Sequence, residues 1–469
     1  MKILRDGISS FTGGVNLDVT DGRIASNEVR VMRNVRNLPT SDLGEKRFGS
    51  QRVHDSTVAS WQKLFQWSPS GNQVVGVAGG DFYRLVGNEF VRTVVGFAQT
   101  PGMVTHRVSG APRLYLGDGT GYWCDDGSTL SSVSGAPSMS RFETYKSRVF
   151  GFHDSKDLHF SVVDTPTDFS VSNGGGSQPV ETYDSEPLTG ILAVGGSLLL
   201  AKRNSVARYS GVTKTDVRLD TGVDGIASEV GIIALDTFIR AEDVGFGMTD
   251  RGPYLFSESG ARAVEMKVHK AFDFDDASVW ENAFAVHNRH RHEIWLFSSN
   301  AWWVLNYVNM AWSGPWDYQG FTPTCATRYE QSSGRESVLV GGVDGFARDG
   351  DINVSGRALD DVLRDGTGGH NVPLEIERAF TFGDERRIKA VSSSQNLVAD
   401  LGTSGELVVS VSGDTESLRK ITTKGAGVRT YDFRPWATGA RIDVMLADYT
   451  SEPVSLSSLA LRARAGRLV

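Results

Sequence analysis

Short apolar runs alternate with turns rich in Gly and Asp along most of this chain. Gln73–Ala78 leads through Gly79-Gly80-Asp81 into residues 82–86, and residues 113–116 lead through Gly117-Asp118-Gly119 into 121–124. Residues 198–202 follow Gly195-Gly196, and residues 337–340 precede Gly341-Gly342-Val343-Asp344-Gly345 and Phe346. An apolar run, a turn that accepts positive φ, and a second apolar run form the signature of a β-hairpin. The units recur from about residue 56 to 350 with the roughly 40–50-residue spacing of a four-stranded propeller blade. Six or seven irregular blades are expected.

Helical periodicity is nearly absent. It is strongest at residues 356–364, where Ala358, Leu359, Val362 and Leu363 share one face, and a turn or two is expected at 277–283. After a Gly- and Asp-rich linker at 351–372 the texture changes. Leu407, Val409 and Val411 alternate with polar residues, as do Ile442, Val444 and Leu446, and then Leu459, Leu461 and Ala463. Strict period-two alternation marks half-buried antiparallel strands, so 373–469 reads as a β-sandwich. Residues 1–55 lack a core-forming density and read as an arm lying on another domain or subunit. The expected fold is all-β: a propeller at 56–350 followed by a C-terminal antiparallel β-sandwich.

Composition agrees with this reading. Fifty-three glycines in 469 residues exceed the usual share of about 7 %, which many tight turns explain. The net charge of −8 disfavours a protein that grips nucleic acid by neutralising phosphates. An excess of nine carboxylates lies in the first 373 residues, whereas the remainder is nearly balanced. Cys124 and Cys325 support neither a disulfide framework nor a structural zinc site. The N-terminal residues carry no apolar signal-peptide core, and residues 191–201 are too short to span a bilayer. Synthesis in a cytoplasm is expected.

The chemistry-bearing candidates are weak. His290 and His292 would share a strand face beside His287, with Asp273, Asp275 and Asp276 nearby, but with no fourth ligand evident an exposed polar turn between blades is the better reading. Asp349, Asp351 and Asp360 imitate a calcium loop whose sixth position holds Val354 instead of the required Gly. Asp118, Asp125, Asp126, Glu143 and Glu181 could line a propeller mouth as glycosidase carboxylates, although no spacing singles out a pair. Tyr122 and Trp123 could stack on sugars or belong to a strand. The tryptophans at 302, 303, 312 and 316 read as core. No catalytic motif, cofactor or metal is expected.

One ordered series of segments opens with Phe11-Thr12-Gly13-Gly14-Val15-Asn16, Asn27-Glu28, Asn34 and Gly44-Glu45-Lys46-Arg47-Phe48-Gly49. It continues through residues 147–152, 159–161, 167–169 and 198–202, then Glu229-Val230-Gly231, residues 250–256, Asn306-Tyr307, Trp312-Ser313 and 341–345. The series resembles the tail nozzle, or hub, proteins of short-tailed bacteriophages. The family's turn glycine is replaced by Pro253, and the chain is shorter than many nozzle proteins, which implies reduced distal loops. The resemblance implies a virion tail protein that is not an enzyme. It would form a homohexameric ring below the head-to-tail adaptor, carry fibres or spikes, and pass double-stranded DNA at genome ejection. Its motif residues are Phe11, Gly13, Gly14, Asn16, Asn27, Glu28, Asn34, Arg47 and Gly49. Arg462, Arg464 and Arg467 form a candidate interface at the C-terminal end. A phage adhesin or a propeller glycosidase acting on polysaccharide is the alternative.

Overall fold

The computed structural model describes the chain except residues 1–2, 21–22, 39–40, 42, 70, 212–217, 221–226, 229, 266, 269, 271–278, 281, 300–301, 332, 355, 381–386, 392–394, 414, 424, 440 and 469. Asp273, Asp275, Asp276 and Glu229 therefore lie outside the described residues.

The repeated hairpins assemble into seven sheets of the propeller type, six of them meanders in simple sequence order. The first contains Trp61–Trp67, Gln73–Ala78, Asp81–Val86 and Glu89–Thr93. The next five begin with Gly102–Val108, Arg141–Tyr145, Leu188–Val194, Ile239–Ala241 and Phe284–Asn288. The seventh holds Pro323–Glu330, Glu336–Gly342 and Ala347–Ile352, and its fourth strand is Gly49–Arg52 from the N-terminal segment. First and last sheets also meet directly. Gln66 Nε2 donates to the Glu330 carbonyl at 2.7 Å, and the Glu330 N–H donates back to Gln66 Oε1 at 2.6 Å. Apolar clusters fill the spaces between successive sheets, as the tryptophans show: Trp61, Trp302 and Trp316 are all buried there.

The C-terminal residues build the expected sandwich. One sheet of five strands runs Val31–Arg33, Leu374–Phe380, Ile442–Asp448, Glu406–Ser412 and Glu416–Thr422. The other, of eight, is centred on Ser455–Leu468. The N-terminal segment is woven into both. Ile3–Ile8 and Gly44–Lys46 pair with Ser455–Leu468, while Val31–Arg33 pairs with Leu374–Phe380. A single apolar core runs from Leu407, Val409 and Leu459 in the sandwich through Phe11, Val29 and Met32 of the arm to Phe246, Ile294 and Trp312 of the propeller. Burying each such side chain contributes about 1.5–3 kcal/mol, so the two domains and the arm share one hydrophobic interior.

The helix expected at 356–364 does not form. Leu359–Asp360 pairs instead with His370–Asn371. The Val362 N–H donates to the Ser50 carbonyl at 3.0 Å, and the Arg52 N–H donates to the Val362 carbonyl at 2.9 Å. Docking on the propeller buries Ala358 and Val362 and gives the backbone partners that a marginal helix could not improve on. At 277–283 only Val279 and Trp280 are described as helical.

Candidate functional site

The motif residues of the arm converge on the joint between propeller and sandwich. Phe11 is buried, and its carbonyl accepts from Asn37 Nδ2 at 2.7 Å. Gly14 has φ +67°, and a Cβ there would lie 2.2 Å from the Trp312 carbonyl oxygen, so only glycine admits this approach. Gly13 packs against Glu28 and Asn27, and Asn27 Nδ2 donates to Thr12 Oγ1 at 3.3 Å. Glu28 accepts from Asn16 Nδ2 at 2.8 Å, the Ala25 N–H at 3.2 Å and Lys267 Nζ at 2.8 Å. Burial opposes its ionisation, but hydrogen bonds from Lys267, Asn16 and Ala25 outweigh it and hold the carboxyl below its ordinary range.

A denser set of charges lies beside it. Asn34, at φ 54°, accepts from Arg47 Nε at 2.9 Å and donates to Asp317 Oδ1 at 2.7 Å. Arg47 continues to Asp360 Oδ1 at 3.0 Å and lies over the Tyr318 ring at 4.9 Å. Arg33 bridges the domains, reaching Asp317 at 3.0 Å on the propeller and Glu375 at 3.2 Å on the sandwich. Arg36 pairs with Glu293 at 2.6 Å and Asp351 at 3.0 Å, and Lys46 pairs with Asp448 at 2.6 Å. Asp361 receives both Arg52 and Arg348 at 2.7 Å. Gly49 completes the lock, because a Cβ there would lie 1.7 Å from the Leu359 carbonyl.

Burial and pairing split the carboxylates of this joint. Burial pushes Glu293 and Asp360 above the ordinary range despite their arginines. At Asp351 burial acts in the same direction, but Arg36 and Arg291 win and hold it at about 2. Burial also lowers Lys46, against the attraction of Asp448.

The second candidate is the propeller axis. The first strands of the seven sheets line a cavity of about 1300 Å³. Asp236, in the turn Leu235–Thr237, accepts from Lys63 Nζ of the first sheet at 2.9 Å and from Arg141 Nη1 of the third at 3.2 Å. Its side chain stays 39 % exposed, because protein surrounds it while the channel remains open to solvent. Burial raises its pKa, but the two cations prevail and keep it well below the usual range. Glu143, on the third sheet's first strand, goes the other way. Burial raises it to about 7, although the Ala193 and Thr144 N–H groups donate to it.

The remaining sequence candidates scatter. Residues 289–291 form a 3-10 turn, so His290 and His292 do not share a strand face. His287 Nε2 and His292 Nδ1 instead meet the Tyr307 hydroxyl at 3.1 and 3.2 Å, and that hydroxyl donates to Glu242 Oε1 at 3.3 Å. Burial lowers His287 to about 4. Among the described residues, no group of three or more His, Cys, Asp or Glu is placed to hold a metal ion. The calcium-like carboxylates diverge: Asp349 binds Ser337 and Gln331, Asp351 binds Arg36, and Asp360 binds Arg47. Asp118 and Asp126 accept backbone N–H groups of their own turns, Asp125 pairs with Arg84 at 2.6 Å, and Glu181 pairs with Lys156 at 2.7 Å. Of the five proposed glycosidase carboxylates, only Glu143 lines the channel. Tyr122 is buried in a strand, and Trp123 packs edge-on against Phe97 at 4.9 Å. Both cysteines are buried, and burial lifts the Cys325 thiol to about 12.

Arg462 is exposed, with its backbone N–H and carbonyl both bound by the Gln395 amide at 2.6 and 3.1 Å. Arg464 pairs through its backbone with Ile3 and Ala390. The side chains of Arg464 and Arg467 lie outside the described residues. The sequence reading did not single out Arg36, Asp236 or Asp317. The available signal was a charge set between apolar neighbours, as with Asp317 between Trp316 and Tyr318.

No family model matches the chain, and no curated protein matches it. Solved structures align at low identity. The extracellular domain of a putative one-component system from B. thetaiotaomicron is 10 % identical, with a TM-score of 0.46 over 66 % of this chain and 40 % of that chain. The extracellular domain of a putative hybrid two-component system from the same organism is 10 % identical, with a TM-score of 0.46 over 82 % and 47 %. A chain of the mitotic checkpoint complex is 11 % identical, with a TM-score of 0.41 over 72 % and 99 %. The chain thus spans less than half the length of the first two. At these scores the likenesses carry no functional inference. Among the described residues, no helix is long and apolar enough to cross a membrane.

Proposed function

We propose that the chain is a structural subunit of a short-tailed phage tail, one of six copies in a nozzle or hub ring through which DNA leaves the virion. The observation that supports this reading is the joint. The motif residues of the arm, spread over positions 11 to 49, gather where the arm, paired with the sandwich sheets, meets the propeller, and Asn34 and Glu28 tie it to Asp317 and Lys267 while Arg47 ties it to Asp360. A part that must hold its shape while a genome passes gains from such a rigid tie.

The duplex would pass between subunits. A B-form major groove alone is about 12 Å wide and about 8.5 Å deep, which a cavity of about 1300 Å³ inside one propeller does not accommodate. An acidic ring lumen would let the duplex slide, whereas each lysine or arginine contact adds affinity through counterion release. The adaptor would dock above the ring and fibres or spikes at its side. Electron microscopy and native mass spectrometry of the assembled particle test this reading. A six-membered ring with a lumen free of a continuous basic lining is expected, and a trimeric spike or a polysaccharide-cleaving monomer would overturn it.

The glycosidase alternative draws on one observation. Glu143 and Asp236 line one cavity and are driven to opposite ends of the carboxyl range, the arrangement that divides acid from base. Asp236, however, is already held by two cations.

A further inference from the structure

The axial channel has a neighbour. A second cavity, of about 580 Å³, lies where the first three sheets adjoin, and Gln66 and Ser68 line both. Pockets of about 300–1,000 Å³ hold drug-sized ligands, so the two together have room for several linked rings.

Their lining is charge-balanced. Among the described residues, five cationic side chains and five carboxylates line the channel, and Arg107 is matched by Asp164 in the second cavity. The charges are also paired locally: Asp236 with Lys63 and Arg141, and Glu336 with Arg328 at 3.3 Å. Such walls exert little net pull on a polyanion or a polycation. They instead set hydrogen-bond donors and acceptors side by side. Phe65, Phe142, Phe321 and Tyr329 add half-buried aromatic rings in the channel. In the wall of the second cavity, Trp67 Nε1 and His106 Nδ1 are buried without a hydrogen-bond partner among the described residues. Unpaired buried polar groups are costly and uncommon, and a ligand that shifts either ring would find a nitrogen to bind.

We propose that the channel and its side cavity form one binding site for an uncharged oligosaccharide. Every sugar hydroxyl both donates and accepts, which suits paired carboxylates and guanidinium groups as well as the hydroxyls of Ser68, Thr105 and Ser147. The C–H faces of the sugar rings suit the half-buried aromatics. A nucleic acid would require an excess of cations, and a purely apolar ligand would leave the paired charges desolvated. This site stands independently of the ring proposed above.

The test uses the full chain, titrated calorimetrically with maltohexaose, cellohexaose and chitohexaose, and with hexagalacturonate as the anionic comparator. At least one neutral hexaose should bind with a dissociation constant of about 1 mM or tighter, with little dependence on salt. Ser68 and Asn72 are exposed residues at the channel wall. S68W and N72W should each weaken that binding about tenfold or more while leaving the melting temperature unchanged. The proposal fails if no neutral hexaose binds at millimolar concentration, if hexagalacturonate binds more tightly than all three, or if both variants bind as the parent does.

Discussion

Arg36 and Glu293 stand 257 positions apart in sequence, yet Arg36 Nε donates to Glu293 Oε1 at 2.6 Å with both side chains 1 % exposed. The pair joins the arm to the sixth sheet of the propeller, and Asp351 of the seventh takes the other arm of the guanidinium at 3.0 Å. Replacing Arg36 by Met would leave the buried Glu293 carboxyl without its cation, while Asp351 would keep Arg291 and Asn288. Breaking a buried ion pair from one side costs about 3–5 kcal/mol, so R36M should lower the denaturant midpoint steeply. The double variant R36M/E293L should recover part of that loss. Urea unfolding of the three proteins checks this, and a single variant as stable as the parent would show that the pair does not hold the joint.

Asp236 connects sheets that are not adjacent in the ring. Its contacts to Lys63 and Arg141 are partly open to solvent, so screening limits them. D236N should cost about 1 kcal/mol, and the cost should shrink in high salt. A double-mutant cycle with K63M should show coupling of the same order. Thermal melts at low and high ionic strength provide the measurement.

Much of the fold was legible because hairpins are local. An apolar run, a Gly/Asp turn and a second apolar run specify Gln73–Ala78 and Asp81–Val86 without reference to distant residues. Period two likewise announced Glu406–Ser412 and Ile442–Asp448, which pair as neighbours in the five-stranded sheet. What escaped was long-range. Nothing near Gly49–Arg52 announces that it will pair with Ala347–Ile352, and the apparent helical face at 356–364 was overridden by pairing with that same segment. The channel carboxylates were equally obscure. Glu143 was one acidic residue among five candidates, and only the meeting of seven strands sets it apart.

Two glycines of the joint should prove irreplaceable for different reasons. G14A adds a Cβ both at positive φ and 2.2 Å from the Trp312 carbonyl, while G49A drives one to within 1.7 Å of the Leu359 carbonyl. Each should cost at least the ~1–3 kcal/mol typical of overpacking. Gly356 also has positive φ but faces open space, so G356A should lose only about 1 kcal/mol. Comparing the three melting temperatures separates backbone strain from steric exclusion, and three equal losses would contradict the geometry.

Glu143 should make the propeller less stable as pH rises. Its folded pKa, raised by burial to about 7 from an ordinary 4.5, means that the folded state binds the proton more tightly than the unfolded one. The sign follows from linkage: its contribution is fully present below about pH 4.5 and is lost as pH climbs through about 7. Asp351 has the opposite sign. Held at about 2 by Arg36 and Arg291 against burial, it contributes stability above the ordinary Asp range and loses it as pH falls toward about 2. The two effects occupy different windows and can be separated by substitution. E143Q should match the parent near pH 4, where both carry an uncharged group, and exceed it at pH 8. The margin should be about 1–2 kcal/mol once partial solvent access is discounted. D351N should leave the pH 8 against pH 6 comparison unchanged but flatten the loss of stability between about pH 4 and pH 2. Chemical denaturation across that range reads both, and an E143Q variant that gains nothing at pH 8 would mean that Glu143 ionises in the channel without cost.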